Sequence, residues 1–161
     1  IGMTSQWLRA NAPPIDDIAV VHHDFRAGNF LYDPATSQVT AVLDWELAHL
    51  GDFHEDIAWT LQRAYGYTDA DGRFMVCGLI EREEFLRCYQ EASGFVIDPV
   101  RLAYYEVMSC WKSAIIVLAT CPRCMIGGKT HQDVLVGWLS GFGPTCVEYL
   151  DRQLRKVIRG S

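Results

Sequence analysis

The sequence predicts an α+β fold, a small β-hairpin set into a mainly α-helical chain, and two observations carry it. Between Ile18 and Leu43, short β-branched apolar runs alternate with turn-rich stretches, whereas from Asp56 onward apolar residues recur at a period of about 3.6. The 161 residues, half of them apolar, suffice to bury one good core, so a single domain over 1–161 is expected.

Taken in order, Ile1 to Asn11 reads as a short helix ended by Pro13-Pro14, which cannot continue one; residues 1–17 form a leading helix and linker. Ile18-Ala19-Val20-Val21 is a strand, and the polar, glycine-containing stretch His22 to Asn29 is a loop. Phe30-Leu31-Tyr32 and Val39 to Leu43 flank Asp33-Pro34-Ala35-Thr36-Ser37-Gln38 and read as the two arms of a hairpin, closed by Asp44. Residues 18–56 therefore hold the loops and the hairpin, and 57–161 a helical subdomain opened by Ile57, Trp59, Leu61, Ala64 and Tyr65.

Within that subdomain Arg82 to Ala92 stops at Ser93-Gly94, and Asp98-Pro99 supplies an N-cap with proline at the first helical position. Leu102 to Thr120 is the most apolar helix; Glu106 and Lys112 near its middle would be costly in lipid, so it reads as a core helix. Two later helices cover Gln132 to Leu139 and Pro144 to Ile158, the last with Val147, Leu150, Leu154 and Ile158 on one face.

Lys+Arg 14 against Asp+Glu 20 gives a net charge of -6, so there is no basic field to attract a nucleic acid. The six cysteines include several inside apolar stretches, where a thiol behaves as a small hydrophobe, and no secretory signal opens the sequence; a reducing, cytoplasmic setting and no membrane partner are expected.

The chemistry concentrates in His22-His23-Asp24-Phe25-Arg26-Ala27-Gly28-Asn29, an H-x-D-x-x-x-x-N string, and in Leu43-Asp44-Trp45-Glu46 beyond the hairpin. Phosphoryl transfer asks a protein to orient an attacking hydroxyl and to hold magnesium on phosphate oxygens. Asp24 can take or orient the hydroxyl proton, and the oxygens of Asn29 and Asp44 are hard ligands suited to Mg2+. Singly each of the three reads as an ordinary turn or cap residue; the combination is what points to chemistry.

These strings resemble the catalytic loop and metal-binding segment of the aminoglycoside phosphotransferase and choline-kinase-like superfamily, distant relatives of protein kinases. Gly51-Asp52-Phe53-His54-Glu55-Asp56-Ile57-Ala58-Trp59 resembles its next block, G-D-P-x-x-D-L-A, and Arg82 to Tyr89 with Tyr104 to Lys112 resemble the helical subdomain of members attached to acyl-CoA dehydrogenases. The resemblance implies a protein-kinase-like C-terminal lobe that moves the γ-phosphoryl group of ATP or GTP to a small-molecule hydroxyl. It implies Asp24 as catalytic base with His22 buttressing its loop, Asn29 and Asp44 as Mg2+ and nucleotide ligands, and Asp52, Asp56, Arg26 and Glu46 as supporting residues.

Two departures stand out: His23 replaces the family's usual glycine and Phe53 its usual proline. Only 21 residues precede His22, with no strand lysine or glycine-rich phosphate loop among them, so the resemblance also implies an N-terminal nucleotide-gripping lobe as partner and little activity without it. The alternative reading is a non-catalytic, pseudokinase-like binding or scaffold module, and an apolar face left uncovered could make the chain a homo-oligomer.

Other features carry plainer readings. Asp52 and Asp56 serve equally as N-caps of the helix that begins near Asp56. No spacing among His23, His49 and His54 matches a zinc arrangement, and Cys121-Pro122-Arg123-Cys124 is a C-x-x-C without a second pair. Trp59, Tyr65, Tyr104, Tyr105, Trp111 and Trp138 are core aromatics or acceptor-pocket candidates.

Overall fold

The computed structural model describes residues 1–16, 18–128 and 130–160. Residue 17, at the end of the leading segment, lies outside the described residues. The chain divides into two compact units, Pro13–Glu106 and Ile1–Ala12 with Val107–Ser161.

In the first unit β1 (Ile18–Val21) follows the prolines and β2 (Phe30–Tyr32) and β3 (Val39–Val42) form the predicted hairpin, Phe30 facing Val42 and Leu31 facing Ala41. The strand β4 (His49–Asp52) is new to the sequence reading and pairs antiparallel with β1, Ile18 opposite Asp52 and Val21 opposite His49. A Gly-Asp pair with one apolar neighbour has no alternation to detect, so only its partner strand reveals it. Of β1, Val21 is buried and Ile18 and Val20 are exposed.

Asp52 ends β4 and caps α2 (Phe53–Thr60), its carboxylate accepting from the His54 N–H at 3.0 Å. The helix thus starts three residues before Asp56, and it is buried on nearly all sides, with Phe53, Ile57, Ala58 and Trp59 in the core. Phe53, where proline would also suit the first helical position, stacks between the rings of His54 (4.0 Å) and Phe95 (4.5 Å).

The mainly helical subdomain expected over 57–161 is interrupted between Tyr67 and Glu81. A three-stranded antiparallel sheet, β5 (Tyr67–Thr68), β6 (Phe74–Val76) and β7 (Ile80–Glu81), occupies that stretch. Its strands of two or three residues are too short to show a period, and its turns depend on local chemistry: the Asp69 carboxylate accepts from the N–H groups of Asp71 and Arg73, and Gly72 sits at φ 83°. Next, α3 (Arg82–Ser93) ends as expected on a left-handed Gly94, and α4 (Pro99–Ile115) begins under Asp98, which accepts from Val100 N–H at 2.8 Å.

In the second unit α1 (Gly2–Ala10) buries Thr4 and Leu8, and the indole N–H of Trp111 donates to the Ile1 carbonyl at 3.3 Å. The long helix expected to Thr120 forms and runs on to Gly127, α4 passing through a π-helical stretch, Ile116–Thr120, into α5 (Cys121–Gly127), with Pro122 in the first turn of α5. A Thr130–Asp133 capping box opens α6 (His131–Leu139), and α7 (Gly143–Gly160) buries Leu150 and Leu154 of its expected face, leaving Val147 and Ile158 exposed. By length and composition alone Pro99–Ile126 could cross a membrane; within it Glu106 accepts from Arg82 at 2.9 Å.

Candidate active site

The predicted site residues all lie in the first unit, and His22, Asp24, Arg26, Asn29 and Asp56 meet at the loop between β1 and β2. The carboxylate of Asp56, on the first turn of α2, accepts from the backbone N–H of His22 and of His23, both at 2.7 Å. One carboxylate thereby satisfies two consecutive loop donors that no strand or helix would pair. Thr60, one turn on, donates to the Phe25 carbonyl at 3.1 Å, so a single helix holds the loop at three residues.

His22 is buried and both its ring nitrogens are engaged: Nδ1 accepts from the Asp24 N–H at 3.1 Å, which leaves Nε2–H to donate to the Leu43 carbonyl at 2.6 Å. The ring also lies edge-on to Trp45, 4.7 Å between centroids. The implied buttress is therefore a physical strut between the loop of Asp24 and the segment of Asp44.

Asp24 is half-buried, and both of its oxygens are addressed. Oδ2 accepts from the Asn29 amide at 2.6 Å and Oδ1 from the Trp59 indole at 3.1 Å, while Arg26 Nε spans both at 3.2 and 3.3 Å. The same Asn29 nitrogen donates to the Asp24 carbonyl at 2.9 Å, so the amide oxygen is the end left for another partner. Asn29 is almost fully buried, and its carbonyl accepts from Leu43 N–H at 2.7 Å, one step beyond the Phe30–Val42 pair of the hairpin. The hairpin thus sets Asn29 against the residue before Asp44.

Asp44 is exposed and left-handed, φ 60° and ψ 53°. It precedes the short 3-10 turn Trp45–Leu47 but makes no side-chain capping bond to it, so its role is not that of an ordinary cap. Glu46 lies exposed in that turn.

Of the two N-caps expected, Asp52 caps α2, whereas Asp56 lies inside the helix and braces the loop instead, because α2 begins at Phe53. Asp52 also accepts from Arg101 Nη1 at 3.1 Å, and Arg101 reaches Asp16 as well. His54 links the two ends of this cluster. Its Nε2 accepts from Asp98 N–H at 2.9 Å, so Nδ1–H donates to Asp52 at 2.6 Å. With both nitrogens so committed, His54 is a structural histidine. Cys121 is buried and Cys124 exposed, neither in a disulfide, and burial followed by the neighbouring Cys124 pushes the Cys121 thiol up, opposite to what a reactive dithiol needs.

Two of the aromatics that the sequence offers as core or acceptor-pocket residues lie close to Asp24, a contact their positions do not reveal. The Trp59 indole touches Asp24; Tyr65 lies beside it, under the Arg26 guanidinium (5.9 Å), and is pushed up to about 12 by burial and then by the Asp24 charge. The only available signal was helical spacing from Asp56, which puts Trp59 nearly one turn along, on no face that sequence alone could assign.

The model of the phosphotransferase enzyme family matches residues 4–102, more than half of the chain. The chain belongs to that family. Among curated proteins it is 33% identical over 137 residues to acyl-CoA dehydrogenase family member 11 of Gallus gallus, covering 80% of this chain and 18% of that protein. It is 32% identical over 132 residues to family member 10 of Mus musculus (76% and 12%) and 32% identical over 101 residues to aminoglycoside 3'-phosphotransferase of Streptomyces fradiae (63% and 35%). The chain therefore spans less than a fifth of the first two relatives. A solved structure assigned as an aminoglycoside phosphotransferase from Ralstonia eutropha JMP134 superimposes with TM-score 0.72 at 22% identity, over 96% of this chain and 48% of that one. The chain shares its kinase-like α+β fold.

Proposed function

We propose that this member of the phosphotransferase family is a small-molecule kinase that moves the γ-phosphoryl group of ATP or GTP to an alcohol oxygen. The observation that carries the reading is the Asp24–Asn29 pair: two buried or half-buried polar side chains 2.6 Å apart, tied through the hairpin to the Leu43-Asp44 segment. Folding alone has no use for this set of groups, since the hairpin and α2 satisfy their own backbone.

Asp24 acts as the base that orients the acceptor hydroxyl and receives its proton. Asn29 and Asp44 would hold Mg2+. The donor set fits a hard cation, because the Asn29 nitrogen is spent on Asp24, leaving its oxygen, and the Asp44 carboxylate is exposed and uncommitted to any cap. When bound, the ion would supply charge for the phosphate oxygens. His22, Asp56 and Asp52 keep the two segments in register, and Glu46 stands next to Asp44 for a cation-bound water or a nucleotide contact.

The acceptor is a small hydroxylated metabolite, a reading that rests on the acyl-CoA dehydrogenase relatives. The setting is cytoplasmic, with no nucleic-acid or membrane partner. Slow turnover is expected of these 161 residues by themselves, because the solved neighbour is about twice as long and the extra chain would help position the phosphates.

Transfer of radiolabelled phosphate from ATP or GTP to a panel of small alcohols, read with and without Mg2+, tests the function. Mg2+-dependent labelling lost in Asp24→Asn supports it. A Mg2+–ATP thermal shift equal in wild type and Asp44→Ala would favour a non-catalytic module.

A further inference from the structure

Trp59 makes a contact that the phosphotransfer chemistry described above does not use. Its indole N–H donates to Asp24 Oδ1 at 3.1 Å, although the residue lies on α2, thirty-five positions along the chain. The indole is almost completely buried, and as a donor without acceptor capacity it cannot receive a proton.

What it can do follows from the torsions of an aspartate. Rotation about the terminal carboxylate bond is broad, so a single donor on one oxygen leaves the other free to swing. Asn29 holds Oδ2, and Trp59 holds Oδ1 from a different element. Two fixed donors, one per oxygen, set the plane of the carboxylate as well as its direction. Arg26 also touches both oxygens, but its side chain is about a third exposed and less constrained.

The indole is itself held. The ring of His23 lies against it, 5.0 Å between centroids at 32°, and His23 Nδ1 lies 3.5 Å from Glu55 Oε1. Glu55 is nearly buried, with His49 Nε2 3.4 Å from its other oxygen. His23 occupies this place at φ 64°, a backbone conformation that disfavours a side chain, and Asp56 pins its N–H. A strained residue maintained beside the site has its ring seated on Trp59.

We infer that Trp59 is a positioning residue for Asp24, orienting the carboxylate by its indole N–H and seated in turn by His23 on Glu55. This rests on Asp24 being the base for the acceptor hydroxyl. The two are separable by experiment.

In the first arm, the five tryptophan indole N–H signals are followed by 15N NMR. That of Trp59 is assigned by Trp59→Phe, or by elimination with the other four tryptophans changed to Phe should that variant not fold. It should move upfield in Asp24→Ala, and a signal that stays put overturns the inference. In the second arm, phosphate transfer by Trp59→Phe, assayed well below the variant's own melting temperature, should show kcat down about tenfold with KM within about twofold. An unaltered kcat, or a loss confined to KM, overturns it. If the wild-type chain labels no alcohol even over long incubation at high Mg2+–ATP, where slow turnover would still register, the phosphotransferase reading fails by itself and the NMR arm still decides whether Trp59 orients Asp24.

Discussion

His22 reaches the carbonyl of Leu43 through Nε2 at 2.6 Å, joining the loop that carries Asp24 to the residue that precedes Asp44. Two polar segments twenty residues apart in sequence are thereby held as one surface. The His22 ring is buried, so its end of the strut is shielded from water although Leu43 is exposed.

Replacing His22 by Ala removes both ring bonds and leaves the Leu43 carbonyl and Asp24 N–H unmet. A loss of about 2 kcal/mol in urea-unfolding stability is expected, together with a fall in Mg2+-dependent phosphate transfer. A variant as stable as wild type would show that the strut carries no load.

Asp44→Ala should separate function from stability. The residue is exposed and makes no capping bond, so the one stability cost is that alanine tolerates φ 60° less well than aspartate, a loss of about 1 kcal/mol read as a small fall in melting temperature. The stabilisation by Mg2+–ATP should vanish in the same thermal scan.

His23→Gly sets two effects against each other. Glycine adopts φ 64° freely, which returns about 1 kcal/mol, but the packing of the ring on Trp59 and its contact with Glu55 are lost. Because the ring is buried, the contact loss should win, with a net destabilisation of about 1 kcal/mol by chemical unfolding.

Tyr65 gives a pH dependence with a definite sign. Burial and the Asp24 charge hold its phenol protonated up to about 12, against 10.0 for an unburied tyrosine. Between these values the unfolded chain releases the proton and the folded one does not, so Tyr65 contributes fully below pH 10 and its contribution is lost as pH rises toward 12. Tyr65→Phe should flatten the fall in stability across that window, with phenolate absorbance at 295 nm reporting the titration.

Much of the site was legible because it is local. His22, Asp24 and Asn29 share one loop, and the turn-rich Asp33 to Gln38 announces the hairpin that returns the chain to Asp44. The capping of α4 by Asp98 and the Gly94 stop were legible for the same reason, since caps are set by adjacent residues. The three strands between Tyr67 and Glu81 were not, being too short to leave a period, and β4 needed β1 beside it to exist as a strand.

The sequence by itself determined the chemistry on offer: an aspartate, an asparagine and a second aspartate at spacings that a loop and a hairpin bring together, and the family to which they belong. Only the tertiary structure decided how those groups are held. That Asp56 braces the loop rather than merely capping a helix, that His54 joins Asp52 to Asp98, and that Trp59 touches Asp24 are contacts across 33 to 44 positions. Local periodicity and capping rules act over a few residues, whereas hydrogen bonds of that span exist only once the chain has packed and excluded the water that would otherwise satisfy each partner.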